Sequence, residues 1–113
     1  MQRGDLYYAR LNPAEGSEQE GTRPVVIVSR EAINENSPFV IVVPLTDRRN
    51  KRRIYPSQVV LKAGEGNLPI DSVALGEQVR AISQTRLAKQ IGHLSEHRMS
   101  AIEAALKIAL DLR

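Results

Sequence analysis

The sequence predicts a mostly β fold with a C-terminal helix, arranged as a small, strongly bent antiparallel sheet or partial barrel capped by that helix. Three observations carry the prediction. Two uninterrupted apolar runs, Val25-Val26-Ile27-Val28 and Phe39-Val40-Ile41-Val42-Val43, have the β-branched composition of buried strands. Further short apolar segments are divided by glycine, proline and asparagine turns. Helical spacing is confined to the end of the chain, where Met99, Ile102, Leu106, Ala109 and Leu110 recur. Short strands followed by one terminal helix suit a sheet that curls and is covered on one side. At 113 residues the chain is expected to form a single domain, residues 1–113, around one core.

Each element follows from local chemistry. Residues 5–11 read as a strand, with Leu6 and Tyr8 on one face and Tyr7, Ala9 and Leu11 on the other. Asn12-Pro13 breaks it, and a polar loop runs to about Thr22. Residues 24–29 form a second strand, with Pro24 tolerated at its start because proline lacks the amide a central strand donates. Residues 30–38 read as a connection. The third strand, 39–43, is expected to end at Pro44-Leu45-Thr46. After a basic loop, residues 57–62 read as a strand with Val59 and Leu61 on one face. Gly64-Glu65-Gly66-Asn67 is turn chemistry. Residues 72–75 and 77–82 fit one long strand, bent or bulged at Gly76. A short strand is expected near 90–93, and Ser95 is a good N-cap for the helix. Ala101, Ala105 and Ile108 widen the apolar stripe of that helix, which suits burial on the sheet and at a subunit interface.

Composition removes several kinds of function. There is no cysteine, which excludes disulfide scaffolds, thiolate nucleophiles and cysteine zinc sites. No stretch approaches the ~20 apolar residues of a membrane span. The first five residues have no signal-peptide character, so a cytoplasmic location is expected. His93 and His97 are separated by the expected strand end and helix cap, with Glu96 the one carboxylate nearby, and no metal is expected. A G-x-S-x-G nucleophile elbow and a phosphate-cradling glycine loop are also missing.

The charge distribution is uneven. Net charge is +3, yet residues 47–53 (Asp-Arg-Arg-Asn-Lys-Arg-Arg) alone carry +4. Arg48, Arg49, Lys51, Arg52 and Arg53 therefore form either a phosphate-attracting patch or a solvated loop tip. A second cation, Arg23, is delivered by the loop Gly16-Ser17-Glu18-Gln19-Glu20-Gly21 to the mouth of the second strand. Thr46 sits at the end of the third. If these strands are antiparallel neighbours, Arg23 and Thr46 lie side by side at one edge of the sheet, an arrangement suited to a phosphodiester. Spacing alone leaves open the plainer reading, in which Arg23 pairs with Glu18 or Glu20 on the surface.

Several motifs follow one another in order: Arg3-Gly4-Asp5, Asn12-Pro13, Gly16-Ser17-Glu18-Gln19, Gly21-x-Arg23-Pro24, Pro44-Leu45-Thr46, Asp71-Ser72-Val73-Ala74-Leu75 and Glu77-Gln78-Val79-Arg80. Together they resemble the MazF/PemK family of toxin endoribonucleases from bacterial toxin–antitoxin systems, over nearly the whole chain. The resemblance implies an SH3-like, CcdB/PemK-type barrel that acts as a homodimer. It implies sequence-specific cleavage of single-stranded RNA without metal or cofactor. Residues matching Arg23 and Thr46 are then the catalytic pair. Ser17, Glu18 and Gln19 match an RNA-binding loop, and Glu77 and Gln78 match positions near the bases. The implied partner is a cognate antitoxin whose acidic, disordered tail occupies the same groove. Such cleavage uses the RNA's own 2′-hydroxyl and leaves 2′,3′-cyclic phosphate and 5′-hydroxyl ends. Arginine keeps its charge, so Arg23 suits the phosphate clamp, and Glu18 is the expected base or positioning group. The alternatives are a CcdB-like gyrase-inhibiting toxin and a non-enzymatic SH3-like nucleic-acid-binding module.

Overall fold

The computed structural model describes residues 1–11, 16 and 21–113. Sequence readings that fall on 12–15 and 17–20, including Ser17, Glu18, Gln19 and Glu20, lie outside the described residues. The elements run β1 (Asp5–Arg10), β2 (Thr22–Ile27), α1 (Glu31–Asn36), β3 (Phe39–Asp47), β4 (Gln58–Leu61), β5 (Ser72–Leu75), β6 (Arg80–Ser83), β7 (Leu87–His93) and α2 (Glu96–Ala109). The strands are ordered β4-β5-β3-β2-β1-β7, with β6 also on β3, and every pairing is antiparallel. The sheet is strongly divided but not closed by hydrogen bonds, which fits the small barrel-like fold expected from the sequence.

β3 organises the molecule. It pairs with β6 over Phe39 to Val42 and with β5 over Leu45 to Asp47. Pro44 falls between these two registers, where the ladder on that side is already interrupted, so a proline is accommodated inside a nine-residue strand. The sequence places the strand's end at Pro44-Leu45-Thr46; the structure continues it through Thr46 to Asp47, because β5 offers a new partner just beyond the proline. β2 likewise begins at Thr22, two residues earlier than expected, since Arg23 and Thr22 pair with Ala9 and Arg10 of β1.

Strand alternation feeds two cores. Val25 and Ile27 join Ala9, Leu11, Val40, Val42 and Ile82 on one face. Val26 joins Leu6, Val43, Leu45, Leu61 and Leu94 on the other, where Met99 and Ile102 of α2 complete the packing. β2 is thus buried on both faces, as its composition predicts, and each fully buried aliphatic side chain contributes roughly 1.5–3 kcal/mol.

Two expectations are corrected. Residues 30–38 are not a plain connection: they contain α1, whose buried Asn34 pairs with Ser29, while Ser29 Oγ accepts from the Ile41 amide at 3.1 Å. The bend at Gly76 is a full helical turn over 76–78, not a bulge, so β5 and β6 are separate strands. A Cβ at Gly76 would stand 2.4 Å from the Ser57 carbonyl oxygen, which is why that position is glycine. The broad apolar stripe of α2 divides into a part that packs on the sheet and a part left at the surface of the single chain. Ser95 Oγ caps its Arg98 amide, and Met99, Ile102 and Ala105 face inward. Ile108 and Leu110 are exposed, because Ile108 lies about 120° around the helix from Ile102.

Candidate active site

Antiparallel pairing of β2 with β3 fixes the site. Val25 opposes Pro44, Val26 opposes Val43 and Ile27 opposes Val42. Continued two residues outward, this register sets Arg23 opposite Thr46. The two side chains line one cavity of about 240 Å³. Its walls are apolar, formed by Pro24, Leu45, Pro69 and Ile70, with Tyr8 and Ser72 adding hydroxyl groups. Arg23 is exposed at the mouth, whereas Thr46 is only 6% exposed. A permanent cation therefore stands at the entrance to a hollow that has a hydroxyl in its wall. Such an arrangement binds an anion and presents a hydrogen-bond donor to it.

The turn after β3 forms the cavity's shoulder. Asp47 accepts the Arg49 amide at 2.9 Å, and the Arg49 guanidinium closes on both oxygens of the same carboxylate. Hydrogen bonds from Arg49 hold the Asp47 carboxyl below its ordinary pKa, and the pairing raises that of Arg49. Arg48 turns inward, donating to the Lys51 carbonyl at 2.6 Å, and its amide continues the ladder to Asp71 at 2.9 Å. Asn50 donates its side-chain amide to Thr46 Oγ1 at 3.1 Å. A second hollow of about 270 Å³, lined by Arg48, Arg49 and Asp71, shares Asp47 and Ile70 with the first. The two together make a track leading from Arg23 toward the basic run.

Comparison with known proteins decides the family. The family model described as PemK-like, MazF-like toxin of type II toxin-antitoxin system matches residues 2–110. The chain belongs to this family. Among curated proteins it is 43% identical over 112 residues to the endoribonuclease MazF of Staphylococcus saprophyticus, an alignment that spans 99% of this chain and 92% of the relative. Among solved structures it superposes on a mycobacterial endoribonuclease in complex with its cognate antitoxin, with a TM-score of 0.82 and 26% identity, over 100% of this chain and 97% of that one. MazF from Deinococcus radiodurans gives a TM-score of 0.83 at 25% identity, covering 99% and 97% of the two chains.

Within this MazF/PemK-family toxin, the expected site residues divide into groups. Arg23 and Thr46 come together, and Arg48 and Arg49 stand beside them. Lys51, Arg52 and Arg53 continue the run, with Arg52 and Arg53 exposed. Glu77 and Gln78 do not line the Arg23 cavity. Glu77 instead clasps the neighbouring loop, accepting from Ser57 Oγ at 3.0 Å and from Gln58 Nε2 at 2.7 Å. Gln58 in turn accepts the Tyr55 amide at 3.1 Å and leaves the Tyr55 side chain half exposed at the end of the basic run. Ser17, Glu18 and Gln19 are outside the described residues. Sequence reasoning missed Tyr8, Ile70, Ser72 and Asn50. The first three carry no spacing signal, since Tyr8 comes from β1 and Ile70 and Ser72 from around the start of β5, more than sixty residues away. Asn50 had one: it lies four residues after Thr46, across a single helical turn.

His93, weighed above as a metal ligand, bonds through Nδ1 to the buried Asp5 carboxylate at 2.7 Å, at the opposite end of the sheet. Among the described residues no group of three or more His, Cys, Asp or Glu side chains is placed so that it could hold a metal ion.

Proposed function

We propose that this protein is the toxin of a type II toxin–antitoxin pair: a sequence-specific endoribonuclease that cuts single-stranded RNA, including mRNA, at the Arg23–Thr46 cavity. The observation that carries the reading is the convergence of these two residues from neighbouring antiparallel strands onto one hollow. The reaction needs three things: removal of the 2′-hydroxyl proton, charge stabilisation at a five-coordinate phosphorus, and a proton for the departing 5′-oxygen. Arg23 grips the non-bridging oxygens with two parallel N–H groups. Thr46 donates its hydroxyl proton to one of the same oxygens. Glu18 takes the 2′-proton or positions that hydroxyl. The 2′-oxygen bonds to phosphorus as the bond to the 5′-oxygen breaks, and the departing 5′-oxygen takes a proton from solvent water, which yields a 2′,3′-cyclic phosphate and a 5′-hydroxyl. The nucleophile belongs to the RNA, so this scheme calls for no metal or cofactor.

The track beside the site supports RNA that enters along Arg48, Arg49, Lys51, Arg52 and Arg53. Ser17, Gln19, Glu77 and Gln78 contact the flanking nucleotides. The same basic track suits the acidic, disordered tail of a cognate antitoxin, which inhibits by occupying it. The exposed Ile108, Leu110 and Leu112 at the end of α2 support a homodimer. No helix of the described residues is long and apolar enough to cross a membrane, and the toxin is assigned to the cytoplasm, where its substrate is found.

The test is incubation of a defined RNA with the protein in EDTA, followed by analysis of the product ends. Cyclic-phosphate and 5′-hydroxyl termini are expected, and they should vanish with Arg23→Ala. RNA that stays intact with native protein overturns the reading.

A further inference from the structure

We propose that Asn50 is a positioning residue that aims the Thr46 hydroxyl proton at the bound phosphate. The inference rests on the nuclease reading above and assigns one further residue to the same site. A threonine hydroxyl has one proton and two lone pairs. Asn50 Nδ2 donates to Thr46 Oγ1 at 3.1 Å, so it fills one lone pair. An amide N–H accepts nothing, so the hydroxyl proton is turned away from Asn50. Thr46 is nearly buried, and the space its side chain borders is the cavity it shares with Arg23. Without the amide, the proton is free to rotate onto a nearby carbonyl oxygen, the usual competitor for threonine hydroxyls.

The surrounding turn is built to hold this contact. Asp47 caps the Arg49 amide, the Lys51 amide donates to the Arg48 carbonyl at 3.1 Å, and Arg48 is tied to both Lys51 and Asp71. None of these bonds uses the Asn50 side chain. The turn therefore forms without it, and its amide is left for Thr46. Asn50 is itself exposed, so its replacement removes no core packing. The side chain is neutral, so it adds nothing to the attraction for phosphate. Its effect belongs in the chemical step and not in binding.

The experiment is a double-mutant cycle on cleavage of a short RNA that contains one cut site. Native protein, Asn50→Ala, Thr46→Val and the double variant are compared for kcat and KM, with thermal melting as the check on folding. Asn50→Ala is expected to lower kcat roughly tenfold to hundredfold, with KM and melting temperature unchanged. In the Thr46→Val background, which has no hydroxyl to aim, the same change is expected to do nothing further. Asn50→Asp is expected to fall below Asn50→Ala, because a carboxylate accepts the Thr46 proton and withdraws it from the phosphate. Equal losses from Asn50→Ala in both backgrounds overturn the proposal, as does normal kcat in Asn50→Ala alongside an impaired Thr46→Val. If Thr46→Val itself cleaves normally, the site reading falls and this inference falls with it.

Discussion

Each end of β2 opens into a hollow, and among the described residues the two differ in the charge they present. Beyond Ile27 lies a cavity of about 450 Å³, lined by Arg3, Glu31, His93, Glu96, Ser100 and Glu103. It is nearly twice the volume of the Arg23–Thr46 cavity at the other end. Its polar groups are committed to holding the chain together. Arg3 bonds Glu103 at 3.2 Å and the Val28 carbonyl at 3.2 Å, its amide reaches Glu31 at 2.9 Å, and His93 bonds Asp5. Three carboxylates facing one arginine repel a phosphodiester. At the smaller cavity, Arg23 and Thr46 face each other, and Asp47, the carboxylate that the described residues contribute to its lining, is paired with Arg49. The cleavage site proposed above is therefore the smaller of the two hollows, and what its described residues offer a phosphodiester is a cation at the mouth, not volume.

The sharpest way to break this comparison is to alter one charge at each end. Arg23→Ala is expected to lower the cleavage rate about 10²–10³-fold, the typical cost of removing a donor aimed at developing negative charge. Arg23→Lys recovers little of it, because an ammonium is a point charge and does not grip two oxygens in parallel. Glu103→Gln at the opposite end should leave cleavage within twofold of native, although it loosens Arg3. Single-turnover rates on one RNA check all three, and an equal loss from Glu103→Gln removes the distinction between the ends.

A smaller effect tests whether the basic run extends the phosphate-binding end. Arg52→Glu combined with Arg53→Glu should weaken RNA binding at low salt and flatten its salt dependence. Each lost phosphate contact on a single strand reduces the slope of log K against log salt by about 0.7. Arg49→Ala should matter less, since Asp47 already holds that guanidinium. Titrations at several salt concentrations read the slope directly, and an unchanged slope excludes Arg52 and Arg53 from the track.

What the sequence revealed about these two ends differed for a physical reason. The β-branched runs located β2 and β3, and antiparallel neighbours necessarily bring the start of one to the end of the other. Arg23 and Thr46 could therefore be paired before any coordinates. Motif resemblance then turned that juxtaposition into chemistry. The walls were not legible. Ile70 and Ser72 reach the cavity through the β3 partner switch at Pro44, and Tyr8 through its place opposite Pro24 in the β1–β2 pair, tertiary events without a local signature. Glu77 matched a position near the bases, but its carboxylate is bonded to Ser57 and Gln58. Sequence spacing does not reveal which partners a surface carboxylate finds twenty residues away. At the acidic end almost nothing was legible, because its pairs join residues as distant as Arg3 and Glu103. The small α1 was hidden by the turn-forming residues Asn34, Asn36 and Ser37, which bond locally within and beside it.

The finest discrimination concerns a carboxylate that lines neither cavity. Glu65 lies in the turn before β5 and bonds Arg98 of the first turn of α2 at 2.6 Å, while its other oxygen accepts the Lys62 amide at 2.6 Å. The Arg98 hydrogen bond, followed by the Lys62 amide, lowers its pKa below the ordinary carboxylate value. A depressed folded-state pKa stabilises the protein above the unfolded value of ~4.3, and the gain is lost as pH falls through the lower folded value. The pair is about one-third exposed, with side chains at 31% and 30%, so solvent screens it. Glu65→Gln should therefore cost only about 0.5–1 kcal/mol at pH 7. The gap from native should shrink as the medium is acidified below the usual carboxylate range, because the native glutamate then loses its charge as well. Urea unfolding at pH 7 and again in acid measures both, with cleavage at pH 7 as the control. A constant gap at the two pH values means that Glu65 acts through packing or hydrogen-bond shape, not charge. A drop in cleavage at unchanged stability means that a charge lining neither cavity acts on the site, and the two ends of β2 do not account for it by themselves.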